Sequence, residues 1–203
     1  MFGRLRALTT RLFTPLASLL LRLGVSPDAV TVAGTLGVVV GALWLFPTGH
    51  LFAGTMVVMV FAFSDVLDGV MARRAGRSGP WGAFLDSTLD RFGDGAIFAG
   101  LVLWFTADGD DRLSAVLALA CLVLGSIVPY ARARAEGLGM TASGGIAERA
   151  DRLALVLVAT FAVGVGAPIV VLTVVLGLLA LASAVTIVQR MSKVYRQAAQ
   201  VTG

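Results

Sequence analysis

The chain is poor in the residues that soluble enzymes most often use for chemistry. Its 203 residues include one cysteine, Cys121, and one histidine, His50. A lone thiol gives neither a disulfide framework nor a zinc spacing, and a lone imidazole cannot build a histidine metal cluster. Cys121 lies within an apolar run and reads as a packing residue; His50 lies in a short loop. Charge is scarce as well: 14% of residues are Asp, Glu, Lys or Arg, where soluble domains carry about 25%. The net charge of +4 comes without any interleaving of basic and aromatic residues, so it does not point to nucleic acid. What the chain has in abundance is apolar surface, with 58% hydrophobic residues and a mean hydropathy of +0.91. This composition predicts a polytopic, all-α integral membrane protein forming a single domain over 1–203.

The first segment, MFGRLRALTTRLFTPLASLLLRLG, has arginines at 4, 6, 11 and 22 and no small-residue cleavage site, so it is not read as a signal peptide. It predicts an amphipathic interfacial helix within 1–24, with Leu5, Leu8 and Leu12 turned toward lipid. Apolar stretches near 28–47, 51–74, 81–106, 113–134, 147–165 and 168–190 predict six transmembrane helices. The breaks between them carry turn residues such as Pro47-Thr48-Gly49 and Gly79-Pro80. Ser26-Pro27 supplies a cap and a first-turn proline for the first span. Under the positive-inside rule, 15 of the 16 basic residues fall on one side, with only Arg112 opposite. Both termini and the loop after the second span are therefore expected on the cytoplasmic side of the plasma membrane. Trp44, Trp81 and Trp104 near span ends read as interface anchors, and Gly34, Gly37 and Gly41 as a packing ridge.

Against this background, DVLDGVMARRAGRSGPWGAFLDSTLD, residues 65–90, is anomalous. A carboxylate at mid-membrane depth costs about 2.5–3.5 kcal/mol on insertion scales, so Asp65, Asp68, Asp86 and Asp90 together represent roughly 10 kcal/mol unless neutralised. Asp65 and Asp68 are three apart and Asp86 and Asp90 four apart, so each pair shares one helical face. Two antiparallel helices joined by the loop would bring the faces together. Converging carboxylates repel, and hard divalent cations with oxygen ligands relieve that repulsion; Mg2+ or Mn2+ suits a set lacking His and Cys. Two such ions could clamp a phosphoryl group. Ion pairing with Arg73, Arg74 and Arg91 is the simpler explanation for one acid, but does not account for four.

The spacing Asp65-x2-Asp68-Gly69-x2-Ala72-Arg73-x8-Gly82-x3-Asp86-x3-Asp90 resembles the signature of the CDP-alcohol phosphotransferases. The resemblance implies a homodimeric membrane enzyme that binds a CDP-linked lipid at the cytoplasmic face, where an alcohol displaces CMP. Carried onto this chain, it makes Asp65, Asp68, Asp86 and Asp90 ligands of two Mg2+ (or Mn2+) ions. It also makes Asp90 the catalytic base, and Asp28, Gly69, Ala72, Arg73 and Gly82 the nucleotide site.

The acceptor is read from the arginines around the acids, since guanidinium groups grip phosphate bidentately. LDSTLDR (85–91) and AERADR (147–152) resemble the actinobacterial phosphatidylinositol phosphate synthases. That resemblance implies CDP-diacylglycerol as donor and an inositol phosphate, 1D-myo-inositol 3-phosphate being the expected isomer, as acceptor. Arg132, Arg152 and Arg190 are the matching candidates for holding its phosphate. Glycerol 3-phosphate as acceptor is the alternative; a small cation transporter is a more distant one. Asp94 is expected to extend the polar site or to pair with an arginine.

Overall fold

The computed structural model describes residues 13–76, 79–146 and 148–201, all of them helical or connecting, with no strand among them. Helix α1 covers Phe13–Arg22, and the expected lipid-facing Leu5, Leu8 and Leu12 lie outside the described residues. Helix α2, Pro27–Val40, continues through a wider π-turn, Gly41–Leu45. Then follow α3 (Leu51–Ala62), α4 (Ser64–Arg74), α5 (Pro80–Phe105), α6 (Arg112–Glu136), α7 (Arg149–Gly164) and α8 (Val170–Val201).

Local chemistry sets many of these boundaries. The Ser26 hydroxyl accepts the Ala29 amide at 3.2 Å, and Pro27 follows with its φ already suited to a first turn. Pro80 likewise supplies a first-turn proline to α5, there without a side-chain cap. Asp111 caps α6 by accepting from the Ser114 amide (3.1 Å) and hydroxyl (2.6 Å), and that hydroxyl also meets Thr173 on α8 at 2.7 Å. The second expected span, 51–74, is one helical stretch in which the single turn residue Phe63 divides apolar α3 from acid-bearing α4.

Four helical stretches are long and apolar enough to cross a membrane: Pro27–Leu45, Leu51–Arg74, Arg112–Glu136 and Val170–Gln200. The other two expected spans correspond to α5 and α7. Helix α5 carries Asp86, Asp90, Arg91 and Asp94 in its first half, and α7 has only 16 residues. Leucines, valines and phenylalanines such as Leu36, Val60, Leu178 and Val188 are exposed along the outer faces, as a bilayer-embedded surface requires.

Phe46, Leu51, Val58, Leu101, Phe105, Val156, Leu172 and Leu176 form the centre of the core, with α2 against α5, α3 against α7, and α8 along α6. Trp104 belongs to this core: it is 7% exposed and lies against Phe105 with ring centroids 4.7 Å apart, so it is not the interface anchor its position near a span end suggested. A smaller cluster joins Ala17 of α1 to Val70 and Met71 of α4. The ridge of glycines on α2 does act in packing. A Cβ on Gly34 would stand 1.7 Å from Ser64 Oγ, and one on Gly37 would stand 2.2 Å from the Phe61 ring. Only bare backbone at those positions lets α2 reach the break between α3 and α4.

Candidate active site

The break at Phe63 starts α4 one residue before Asp65, so Asp65 and Asp68 fall on its first two turns. Helix α5 returns from Pro80 and presents Asp86. One carboxylate oxygen from each of Asp65, Asp68 and Asp86 lies within 4.8 Å of the others. Asp68 is buried; Asp65 and Asp86 are more open. The fourth acid, Asp90, stands one turn farther along α5, outside this trio.

Two further elements complete the surroundings. From α2, the Thr31 hydroxyl donates to Asp68 Oδ2 at 2.6 Å and to the Pro27 carbonyl at 3.2 Å. From the first turn of α7, Arg149 spreads its guanidinium over three acids: Nη1 to Asp65 at 3.3 Å, Nη2 to Asp90 at 2.9 Å, and Nε to Asp94 at 3.0 Å. Arg91 adds a second cation, 3.4 Å from Asp94 and 3.8 Å from Asp90. Asp94 is thus an arginine partner.

The trio opens into a cavity of about 480 Å³. Pro27, Asp28 and Thr31 form one wall, Gly69, Ala72 and Arg73 another, and Gly82 and Ala83 a third. Trp81 donates its indole N–H to Asp28 Oδ2 at 3.0 Å, tying the start of α5 to the start of α2 across the mouth. A Cβ at Gly82 would meet nothing, and one at Gly69 would meet only the Arg73 guanidinium. These small residues keep the rim low, so a large planar group can approach the backbone.

The three candidate acceptor arginines lie along successive turns of α6, at Gly125, at Val128 and at Arg132 itself. Pro129 lacks an N–H and so releases the carbonyl of Gly125 four residues earlier. Arg152 Nη2 takes that carbonyl at 3.4 Å. Arg152 is 3% exposed and borders a small cavity with Arg91, Asp94, Cys121 and Gly125. Arg190 of α8, 8% exposed, donates to the Val128 carbonyl and to Gly144 O. Arg132, one turn on, is exposed and paired with Glu136 at 2.8 Å.

Sequence reasoning missed two partners of the acids, Thr31 and Arg149. Thr31 is one turn after Pro27 on a helix start facing the acids, a polar β-branched residue in an apolar run. Arg149 stands among several arginines, and its sequence bears no mark separating it from its neighbours. As a donor set, three close carboxylates backed by a hydroxyl offer only hard oxygen ligands, which fits a small divalent cation.

The profile of the CDP-alcohol phosphatidyltransferase family matches residues 24–188. A phosphatidylinositol phosphate synthase of Streptomyces avermitilis is 47% identical over 201 residues, covering 96% of this chain and 82% of that protein. One from Cutibacterium acnes is 49% identical over 203 residues, covering 97% and 98%. Among solved structures, the fold resembles a Mycobacterium tuberculosis phosphatidylinositol phosphate synthase with CDP-DAG bound, at 44% identity and a TM-score of 0.88, covering 91% of this chain and 94% of that one. The same enzyme in complex with manganese and citrate superposes with a TM-score of 0.87, covering 90% and 88%.

Proposed function

This chain belongs to the CDP-alcohol phosphatidyltransferase family, and from that premise we propose that it moves the phosphatidyl group of CDP-diacylglycerol onto an inositol phosphate. The products are phosphatidylinositol phosphate and CMP. The observation that carries this reading is the meeting of Asp65, Asp68 and Asp86 at the edge of a cavity large enough for a nucleotide. The curated relatives named phosphatidylinositol phosphate synthase support the choice of acceptor.

In this reading Asp65, Asp68, Asp86 and Asp90 would hold two Mg2+ or Mn2+ ions. Bound there, such ions would supply charge neutralisation for the pyrophosphate and for departing CMP. The chain's own groups do the rest. Thr31 donates to Asp68 Oδ2 and so fixes the orientation of that carboxylate beside Asp65 and Asp86. Gly69, Ala72 and Gly82 admit the nucleotide, with Arg73 and Asp28 at the cavity walls. Arg149 orients Asp90, and Asp90 takes the proton of the attacking hydroxyl as the new O–P bond forms and the bond to CMP breaks. Arg152, with Arg190 and Arg132, supplies guanidinium groups for the acceptor phosphate.

The bundle sits in the plasma membrane as six spans with α1 at the interface. Both termini and the site face the cytoplasm, and the enzyme is a homodimer. The arginine distribution supports the orientation.

The test measures CMP release from CDP-diacylglycerol with inositol phosphate, free inositol or glycerol 3-phosphate in parallel, each with Mg2+ or chelator. Release with inositol phosphate and Mg2+ alone is expected. Turnover with glycerol 3-phosphate and none with inositol phosphate would assign a different acceptor. Arg152→Gln should raise the acceptor KM and leave that of CDP-diacylglycerol unchanged.

A further inference from the structure

Between α6 and α7 the chain passes through a stretch that is neither helix nor strand over 140–146. Three glycines at or beside it, Gly139, Gly144 and Gly145, have φ of +73°, +86° and +140°. Such a stretch has little intrinsic preference for one path. Its path is held by α8. Gln197 grips Thr141 from both sides: its side-chain carbonyl accepts the Thr141 amide at 2.9 Å, and its amide donates to the Thr141 carbonyl at 2.7 Å. Lys193 donates to Ser143 O at 3.2 Å, Arg190 to Gly144 O at 3.1 Å, and Thr186 accepts the Ile146 amide at 3.2 Å.

The four holding residues are spaced four, three and four apart, so they form one stripe along α8. They meet the stretch in reverse order, from Gln197 at Thr141 to Thr186 at Ile146. The fit is close at its far end: a Cβ on Gly145 would stand 2.3 Å from Thr186 Cγ2. Helix α8 has the length for this second task. Its apolar span, Val170–Gln200, has 31 residues, or roughly 46 Å at 1.5 Å per residue, against a hydrocarbon core of about 30 Å. The excess carries Arg190, Lys193 and Gln197.

The stretch leads into the first turns of α7, where Arg149 reaches the acids and Arg152 reaches Gly125 O. We propose that Gln197, at the free end of this stripe, is a positioning residue for the acceptor site: by pinning 141–146 to α8 it sets where α7 begins and so where Arg149 and Arg152 stand. Gln197 touches neither the acids nor the arginines. The proposal rests on the reading of Arg152 as an acceptor ligand.

The experiment compares the full chain with Gln197→Ala and Gln197→Glu in lipid nanodiscs. It uses hydrogen–deuterium exchange over 140–146 together with KM for each substrate. In Gln197→Ala, loss of both described hydrogen bonds to Thr141 should speed exchange in this stretch about tenfold, raise the inositol phosphate KM about five- to tenfold, leave the CDP-diacylglycerol KM unchanged and lower the thermal midpoint by no more than about 5 °C. Gln197→Glu retains the acceptor for the Thr141 amide and should recover part of both effects. Wild-type exchange in Gln197→Ala would overturn the proposal, as would faster exchange with an unchanged acceptor KM. Equal weakening of both substrates with a lower midpoint would show general destabilisation and would also overturn it. Failure of the acceptor reading shows separately, as wild-type CMP release that ignores inositol phosphate.

Discussion

Arg149 is the counter-charge of the acidic cluster, and replacing it with glutamine removes that charge while leaving a polar side chain. The guanidinium lies 2.9–3.3 Å from carboxylates of Asp65, Asp90 and Asp94. Because its side chain is 32% exposed, solvent screens each contact to about 1 kcal/mol rather than the larger unscreened figure. Three contacts then amount to about 2–3 kcal/mol, which for a chain of this size lowers the unfolding midpoint by about 5–10 °C. The protein carries its own reporter. Cys121 is its only thiol and is 2% exposed, so a thiol-reactive fluorophore follows unfolding in detergent. In chelator, Arg149→Gln should melt earlier than wild type. Adding Mg2+ should raise its midpoint by more than it raises that of the wild type, because the cation no longer competes with a guanidinium for Asp65 and Asp90. An unchanged midpoint in chelator, or a smaller gain from Mg2+ than in wild type, would refute the counter-charge role.

Asp86→Asn should cut metal-dependent CMP release by about a thousandfold, corresponding to several kcal/mol of lost charge stabilisation, while the fold survives by Cys121 labelling. Gly34→Ala should destabilise the protein by about 1–3 kcal/mol, since its Cβ would stand 1.7 Å from Ser64 Oγ; Ser64→Gly in the same chain should restore part of the loss in the labelling assay. At the opposite end of the bundle, the Ser114 hydroxyl and amide hold the Asp111 carboxyl below the usual carboxylate range. Its stabilising contribution is therefore complete above the unfolded carboxyl pKa and disappears as pH falls through the lower folded value. A wild-type midpoint that drops in acid more than that of Asp111→Asn checks the sign.

The helical, apolar character of the chain and many of its helix breaks were legible because hydropathy and turn chemistry act over a few residues. Ser26-Pro27, Gly79-Pro80 and Asp111 mark helix starts whatever the helices later touch. The acids were legible for a related reason. Asp65 and Asp68, like Asp86 and Asp90, share a helical face by spacing alone, and a short connection must turn two such helices toward each other. What could not be read was partnership across distance. Arg149 is 84 residues from Asp65, and the arginines around it look alike in the sequence. The carbonyl released by Pro129 could be foreseen from the proline, but that Arg152 takes it could not.

Composition and local spacing were enough to establish a helical membrane protein with an acidic cluster on α4 and α5. Tertiary structure decided which cation answers those acids, that Asp90 stands apart from the trio, that Trp104 is buried, and which face of α8 holds the path into α7. The division has a physical cause. Helix formation and lipid solubility depend on neighbours along the chain, whereas ion pairing and packing depend on where a distant helix comes to rest, which no short window of residues encodes.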